Sequence, residues 1–506
     1  MKLIYGVKDK PKFGQLIIFA IQQLLAIMAA TLVVPVIING NANLSGAEAM
    51  DPAAALFGAG IGTLVYILFT KKKSPVFLGS SFAFIGSMTA AFGGAVAVGY
   101  LGMILGAIFA GLVYVILAII IKLVGVNWID KLMPAVVIGP TVAIIGLSLA
   151  GNAIGDLAKV NYSEAVKPEE AVAYEVVETY EEEQTGEETI KKIVSTRVVD
   201  GEGKAVEGVV AEFKDGNYSY TKTPGSSKIA ILCGLITLIV TMVSSCYGKR
   251  MAKLIPFVIG ILSGYAAASI FYLIGYYTGN HSLMIINYSS LLNIESVFSL
   301  PRFTFITAYK GLGQITVSNI ITVLVAYVPV AFVVFAEHIA DHKNLSSIIE
   351  QDLLRDPGLS RTLLGDGVGS MAGAIFGGCP NTTYGESVGC VAITKNASVS
   401  TIIAAAIGAI VISFVTPFVA FVNSIPSCVM GGVCMALYGF IAISGLKMIQ
   451  NVDFDKNKNL FVASAILVAG VGGLSISFGN VTLTSIACAL IIGIIANIIL
   501  AKSEKE

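Results

Sequence analysis

Three acidic side chains lie within or beside long apolar runs of this 506-residue chain, and they are its strongest candidates for chemistry. Glu337 and Asp341 are four residues apart in AlaGluHisIleAlaAspHis, so a helix presents both on one face. Glu386 follows Pro380 and a run rich in Asn, Thr and Gly. A charge at membrane depth costs roughly 2.5–3.5 kcal/mol or more, and such residues usually mark a substrate or proton pathway.

The residues around Glu386 predict a broken membrane segment. Pro380 and the polar run after it interrupt one helix, and a short helical stretch begins near Tyr384. Irregular backbone at membrane depth is tolerated only where it lines a cavity or is buried in protein. The half-helix would present free N–H groups and a positive dipole end to that cavity. A second polar interruption, PheLeuGlySerSerPheAlaPhe, places Ser80 and Ser81 where another half-helix would begin.

Carboxylates together with free backbone N–H groups define the expected ligand. Carboxylates accept N–H hydrogen bonds, whereas backbone N–H groups donate to carbonyl oxygens. A small, flat, neutral ring that alternates N–H and C=O groups, such as a nucleobase, fits both, and a carboxylic acid would be repelled. Glu386, Glu337 and Asp341 could also bind and release a proton, which predicts proton-coupled uptake.

Each candidate has a simpler interpretation. Glu337 is close to the cytoplasmic end of its predicted span, and Asp341 could be a solvated charge at the helix end. His338 and His342 form a second pair on this helix, and His342 beside Lys343 favours an interfacial position. Ser80 and Ser81 could simply cap a helix.

The composition is that of a membrane protein. Hydrophobic residues make up 56% of the chain, charged residues 13%, and the mean hydropathy is +0.83. The apolar residues fall in runs of about 20, enough to cross a bilayer as helix. The seven cysteines lie in apolar or site segments without metal-ligand spacing, which favours packing roles. We find no metal set, nucleophile–base pair or phosphate loop, so we expect neither an enzyme nor a cofactor beyond a coupling proton, and no nucleic-acid partner.

Hydropathy predicts an all-α polytopic fold with fourteen transmembrane segments. The two broken ones, each a strand plus half-helix, lie near residues 76–93 and 379–394. The other twelve are predicted at about 14–38, 52–70, 98–122, 132–152, 228–247, 253–275, 316–338, 362–378, 398–422, 427–446, 459–478 and 481–500. Every second loop is basic, from Lys71–Lys73 onward to Lys502 and Lys505 at the end. This regularity predicts that both termini are cytoplasmic.

The broken span is third in each set of seven, which predicts a 7+7 inverted repeat with the site where the two half-helices meet. A polar insert at residues 155–227 interrupts the first set on the outer side. Its alternating stretch Thr189–Val199 and the turn signals Asp200–Gly201 and Asp215–Gly216 predict a small extracellular β-hairpin. We expect it to have no role in transport.

Five motifs resemble the nucleobase–ascorbate transporter family (nucleobase:cation symporter family 2), in its uracil permease branch. They are GlySerSerPheAlaPheIle, AlaGluHisIle, AspLeuLeuArgAspProGlyLeu, ProAsnThrThrTyrGlyGlu and IleProSerCysValMetGlyGlyVal. They occur in order and at matching spacing, and the resemblance covers nearly the whole chain apart from the insert.

The resemblance implies two domains and usually a homodimer in the cytoplasmic membrane. Residues 1–125 (spans 1–4) and 316–424 (spans 8–11) would form the core domain. Residues 126–315 (spans 5–7 with the insert) and 425–506 (spans 12–14) would form the gate domain.

The resemblance also assigns the site. Glu337 would hold the uracil ring and Glu386 would be the second site carboxylate. The backbone N–H groups of Phe82 and Gly385 would contact the base oxygens, with Ser81 and Tyr384 as neighbours.

Three positions depart from the family pattern: Gln22–Gln23 replaces the common Gln-His, Ser387 replaces the usual Asn, and Asp341 stands where some uracil carriers have His. Ser387 is smaller than Asn and could enlarge the pocket. The leading prediction is therefore proton-coupled uracil uptake. A carrier of xanthine, urate or another purine is the alternative, and an anion carrier on the same fold a remote one.

Overall fold

The computed structural model describes residues 3–501, except 43, 45, 93–97, 127, 129–132, 167–173, 186–187, 201–202, 207, 215–216, 250, 314 and 479–480. The helices are α1 (Phe13–Asn41), α2 (Pro52–Phe69), α3 (Ile85–Ala90), α4 (Gly99–Val124), α5 (Ala135–Ser148), α6 (Ala150–Leu157), α7 (Ser227–Tyr247), α8 (Met251–Leu254), α9 (Pro256–Thr278), α10 (Ser289–Leu292), α11 (Thr304–Ala308), α12 (Val317–Ile349), α13 (Leu359–Gly377), α14 (Gly385–Thr394), α15 (Val399–Ile412), α16 (Thr416–Ser424), α17 (Ser427–Met448), α18 (Asn457–Val471) and α19 (Ser485–Leu500). The strands are β1 (Leu78–Ser80), β2 (Glu164–Ala165), β3 (Tyr174–Thr185), β4 (Glu188–Asp200), β5 (Val209–Lys214), β6 (Asn217–Lys222), β7 (Asn381–Thr383), β8 (Ile476–Phe478) and β9 (Val481–Leu483).

The helices pack in two groups. The first helix group consists of α1, α2, α3, α4, α12, α13, α14 and α15, and the second of α5, α6, α7, α9, α17, α18 and α19. They meet where α12 contacts α5 and α19, and where α1 contacts α9 and α17. Among the described residues, eight helices are long and apolar enough to cross a membrane.

Small residues allow the closest contact within the first helix group. Gly62 of α2 faces Gly369 of α13, and a Cβ added to either would lie 2.7 Å from the carbonyl oxygen of the other. In a lipid bilayer the hydrophobic effect does not drive helices together. Close van der Waals packing of backbones at small residues stabilises their association instead. The α2–α13 pair therefore forms a rigid centre beside both broken spans.

The two broken spans meet in the middle of the first helix group. β1 and β7 pair antiparallel with Leu78 opposite Thr383 and Ser80 opposite Asn381. A single turn (Phe82–Phe84) and α3 follow β1, and α14 follows β7 after one residue. Both spans are therefore a short strand followed by a half-helix, as the sequence predicted.

The polar insert is larger than a single hairpin. β3 and β4 form one antiparallel pair, and β2, β6 and β5 form a three-stranded sheet in that order. The predicted strand at Thr189–Val199 is confirmed as part of β4. Both predicted turns include residues outside the described part of the chain.

Glu164 of β2 connects the insert to the loop after α9. Its carboxylate lies 2.8 Å from Nδ1 of His281 and 3.5 Å from Nζ of Lys222. Burial alone would raise the pKa of Glu164, but His281, Lys222 and the hydrogen bond from Tyr162 together hold that pKa below its ordinary value.

Several predicted span boundaries were wrong. The helix of the span predicted to end at residue 338 continues to Ile349 as α12, in which His338 and His342 are buried whereas Lys343 and Asn344 are exposed. The span predicted at 398–422 consists of two helices, α15 and α16, and the one predicted at 459–478 ends its helix at Val471. The count of fourteen spans stays a prediction.

Candidate functional site

The strand pair fixes the backbone at the site through hydrogen bonds from both flanks. The N–H of Ser81 donates to Pro380 O at 2.9 Å, and the N–H of Tyr384 donates to Phe77 O at 3.2 Å. The Tyr384 hydroxyl donates to Ser80 O at 2.8 Å. Such interruptions leave backbone groups that must find partners, and here each broken span supplies them to the other.

The N-terminus of α14 carries two of the predicted site residues. Gly385 is the first residue of this helix and is exposed to a cavity, with Glu386 beside it in the first turn. A Cβ added to Gly385 would lie 3.8 Å from Oδ1 of Asp341. Backbone N–H groups at a helix N-terminus have no partner within the helix, so they are available to a ligand.

Ser81 and Phe82 lie at the corresponding place in the first broken span. Ser81 precedes the helical turn, but its side chain makes no capping hydrogen bond. Its hydroxyl is buried and has no hydrogen-bond partner among the described residues, and the same is true of Ser80. The capping interpretation of these serines is therefore wrong.

Glu337 and Asp341 lie in the interior of α12, not at its end. Glu337 is twelve residues before the last helical residue, Ile349, so the interfacial interpretation of its position is wrong. Asp341 is half-buried and accepts a hydrogen bond from Thr383 Oγ1 of β7 at 2.8 Å. The solvated helix-end interpretation of Asp341 is wrong for the same reason, and this bond connects α12 to the strand pair.

All the predicted site residues face one cavity of about 320 Å³. From the first helix group its walls include Ser81, Phe82, Glu337, Asp341, Tyr384, Gly385 and Glu386. Their roles in binding stay a prediction. The volume is at the lower end of the range usual for small-molecule sites.

Sequence reasoning missed the opposite wall, which the second helix group and the short helix α8 provide. Its residues are Val142, Lys253, Pro256, Phe257, Leu437, Phe440, Ile441, Ser444 and Met448. Lys253 is the only basic residue among the described residues lining the cavity. A lysine next to a short interrupted helix, α8, was the available signal, but its loop position explained it equally well.

Ser387 does not line this cavity, so the expectation that it enlarges the pocket was wrong. It is fully buried behind α14, where its hydroxyl oxygen accepts the N–H of Phe77 at 3.0 Å. The side-chain amide of Gln23 also donates to it. Two of the departures from the family pattern, Gln23 and Ser387, are therefore hydrogen-bonded partners.

His342 is buried, which corrects the prediction that it is interfacial. Its Nε2 lies 2.6 Å from the Tyr66 hydroxyl, and its Nδ1 lies 2.8 Å from His338 O. Neither His338 nor His342 lines the cavity. The histidine pair therefore belongs to the interior of the first helix group.

Comparison with known proteins assigns the chain to a family of carriers. The sequence model of the Permease family matches residues 14–179 and 209–478. The chain is 34% identical over 502 residues to a uracil permease of Bacillus caldolyticus, with 99% of this chain and 95% of that protein covered. It is 34% identical to the uracil permease of Bacillus subtilis (strain 168), covering 100% and 97% of the two chains. For the uracil permease of Escherichia coli (strain K12) the identity is 32%, with 97% and 92% covered.

Solved structures support the fold. The transmembrane domain of the cyanobacterial bicarbonate transporter BicA matches with a TM-score of 0.56 at 13% identity, covering 97% of this chain and all of that one. The structure of SLC26A9 matches with a TM-score of 0.55 at 10% identity, covering 97% and 66%. At such identities the likeness concerns the fold alone, and it confirms the predicted helical membrane fold with a 7+7 inverted repeat.

The resemblance found in the motifs is thus confirmed over nearly the full length by relatives and by fold. The protein is a multi-pass membrane transporter with a nucleobase substrate class, not an enzyme. The chain belongs to the nucleobase–ascorbate transporter family of permeases.

Proposed function

We propose that this protein carries uracil into the cell across the cytoplasmic membrane, together with protons. The observation that carries the proposal is the cavity between the two helix groups, which Glu337 of α12 lines together with Gly385 and Glu386 at the N-terminus of α14. The full-length relatives named uracil permease support the choice of substrate.

The chemistry of the cavity matches the imide edge of uracil. Its carboxylates accept the ring N–H groups, with Glu337 as the principal acceptor and Glu386 as the second. The backbone N–H groups of Gly385 and Phe82 donate to the ring carbonyl oxygens, and Ser81 and Tyr384 complete this side of the cavity. The bonds to carboxylates are charge-assisted, about twice as strong as neutral ones, so they dominate the affinity.

Proton coupling follows from the number of acids. Glu337, Asp341 and Glu386 line one cavity that Lys253 alone can compensate among its described lining residues. Removing several like charges from water as the cavity closes is unfavourable unless some are neutralised. Binding of protons from outside neutralises them, and release inside resets the carrier. No other cofactor is needed.

Transport then consists of relative movement of the two helix groups. The first helix group acts as the core domain that holds the base, and the second acts as the gate domain. We propose that both termini are cytoplasmic, which the alternation of basic loops supports, and that the protein is a homodimer, as its family resemblance implies. A base that contacts both groups is released to one side when the groups separate there.

Uptake of radiolabelled uracil into vesicles containing the purified protein tests this proposal. Accumulation should require an inward proton gradient and stop when a protonophore dissipates it. Empty vesicles treated identically are the control. Accumulation that is indifferent to the gradient would refute proton coupling, and no saturable uptake of uracil would refute the substrate.

Competition by unlabelled bases tests the pairing of carboxylate with imide. Cytosine has an unprotonated ring nitrogen at N3 and would leave a carboxylate unpaired, at a cost of about 1–3 kcal/mol or more. We expect 5-substituted uracils to compete well, xanthine weakly, and cytosine and adenine not at all. Effective inhibition by cytosine would contradict this geometry, and strong uptake of xanthine would favour a purine carrier instead.

A further inference from the structure

A second acid–base cluster is buried in the first helix group, away from the cavity lining. His338 of α12 and Asp366 of α13 are both fully inaccessible to solvent. His338 Nδ1 lies 2.7 Å from Asp366 Oδ2, and His338 Nε2 lies 3.0 Å from Thr362 Oγ1. Neither the histidine nor the aspartate is among the residues that line the cavity. We call this pair the His338–Asp366 dyad.

The hydrogen bonds of Thr362 indicate the protonation state of the dyad. The Thr362 hydroxyl donates its only hydrogen to Leu359 O, at 3.0 Å. Both contacts of Thr362 Oγ1 are hydrogen bonds only when the hydroxyl donates to Leu359 O and accepts from His338 Nε2, because a carbonyl oxygen cannot donate. In that arrangement Nε2 carries a hydrogen. On the other side of the ring, an ionised carboxylate can only accept, so the 2.7 Å contact between Nδ1 and Oδ2 also requires a hydrogen.

In this state the dyad holds two hydrogens, one on Nε2 and one shared between Nδ1 and Oδ2. A neutral imidazole beside an ionised carboxylate holds only one. It is electrically neutral whether the shared hydrogen is on Oδ2 or on Nδ1. The alternative, with this proton absent, leaves a net negative charge in the protein interior. That charge would have one carboxylate oxygen unpaired, because Asp366 Oδ1 has no hydrogen-bond partner among the described residues. An uncompensated buried charge is strongly unfavourable, so the structure favours the proton-loaded dyad.

Among the described residues, the surroundings of the dyad supply no other positive charge to balance Asp366. Tyr66 of α2 and Tyr114 of α4 face the cluster, and the ring of His342 stacks on His338 with centroids 4.0 Å apart. His342 Nδ1 contacts a carbonyl oxygen, His338 O, so it carries a hydrogen and donates. The remaining ionisable neighbours, Glu337 and Asp341, are acids on the same helix.

We propose that the His338–Asp366 dyad is a proton-binding site distinct from the cavity carboxylates, and that it exchanges its proton during transport. Because the dyad itself is closed to solvent, on unloading the shared proton passes first to the ionised carboxylate of Glu337, which lines the cavity, and from there to water on the side to which the cavity is open. A carboxylate and a neutral imidazole remain. Because His338 is adjacent to Glu337 in α12, the resulting charge strengthens proton binding by the cavity acids. The two sites would then load and unload in a linked order. This inference rests on the proposed proton-coupled function.

The test is Asp366→Asn in reconstituted vesicles. The amide can accept from Nδ1 and keeps the shape of the neutral acid, but it cannot exchange a proton. We expect uracil binding and uracil exchange close to those of the parent, with a lower proton-to-uracil ratio and a weaker dependence of accumulation on pH. Ser360→Ala is the matched control. It removes a hydrogen bond of α13 to Ala118 O that does not involve the dyad, so it should keep the parent ratio.

The result that overturns the inference is an Asp366→Asn protein with the proton-to-uracil ratio and pH profile of the parent, which is what a purely structural dyad predicts. If Asp366→Asn does not reach the membrane, His338→Gln removes the same shared proton and should lower the ratio; a parent ratio there overturns the inference equally. Failure of the proposed function is distinguishable, since the parent itself would then show no dependence on the gradient.

Discussion

Ser387→Ala tests how α14 is held in position. The hydroxyl oxygen of Ser387 accepts hydrogen bonds from two buried donors. One is the N–H of Phe77, the residue just before β1, and the other is the side-chain amide of Gln23 in α1. Phe77 is fully buried and Gln23 only 2% exposed, so water cannot replace the lost acceptor. One oxygen thus connects three elements around the first turn of α14.

The size of the effect follows from the number of donors left unpaired. A buried donor without an acceptor costs about 1–3 kcal/mol, so two cost ~2–6 kcal/mol if neither finds a new partner. The Gln23 side chain can rotate, whereas the Phe77 N–H is fixed by the backbone. We therefore expect a loss near the lower end of that range. Since Gly385 and Glu386 directly precede Ser387, we expect weaker uracil binding as well.

Thermal unfolding of the purified protein in detergent, together with calorimetry of uracil binding, measures both effects. Ser413→Ala is the matched control, because Ser413 is equally buried but only donates to Ile410 O of its own helix, at 2.7 Å. That variant should lose about 0.5–1.5 kcal/mol and keep its affinity. A Ser387→Ala protein as stable as Ser413→Ala, with parent affinity, would refute the reasoning.

Three other changes test the site and the insert. Glu337→Gln should lower uracil affinity on the order of ten- to a hundredfold, because an amide replaces an acceptor-only group and a charge-assisted bond of about 1.5–3 kcal/mol is lost; unchanged affinity by calorimetry would remove Glu337 from the site. Glu386→Gln should abolish gradient-driven accumulation while uracil exchange persists, since the amide imitates a permanently protonated acid; normal pH-dependent accumulation would exclude that role. Replacing residues 163–221 by a short Gly/Ser linker should leave uptake close to that of the parent, because none of the described residues of that segment lines the cavity. A loss of uptake by a normally inserted protein would show that the insert assists the gate.

Local patterns along the chain are enough to establish the class of protein and one side of the cavity. Apolar runs of membrane-spanning length are a local property, and so is the alternation of basic loops. Charged residues inside such runs are rare because they are costly, so Glu337 and Glu386 are prominent in the hydropathy pattern alone. The interruptions of the two broken spans indicated Ser81 and Tyr384, and the motif resemblance added Phe82 and Gly385; all four line the cavity.

The meeting of distant segments, in contrast, depends on tertiary packing. β1 and β7 are about 300 residues apart, and their register depends on the backbone groups that each leaves unpaired. Hydropathy ended α12 too early because it cannot distinguish a polar residue facing water from one facing protein. For the same reason His342 was assigned to the interface, although it lies against Tyr66 in the interior.

The contact between Gln23 and Ser387 shows the same limit. Each was recognisable from the sequence as a departure from the family pattern, but nothing in the sequence indicated that they are partners. The second cavity wall and the His338–Asp366 dyad were hidden likewise, since α1 meets α17, and α12 meets α13, only through packing. Hydropathy is read along the chain, whereas the pairing of buried polar groups is fixed by which helices touch.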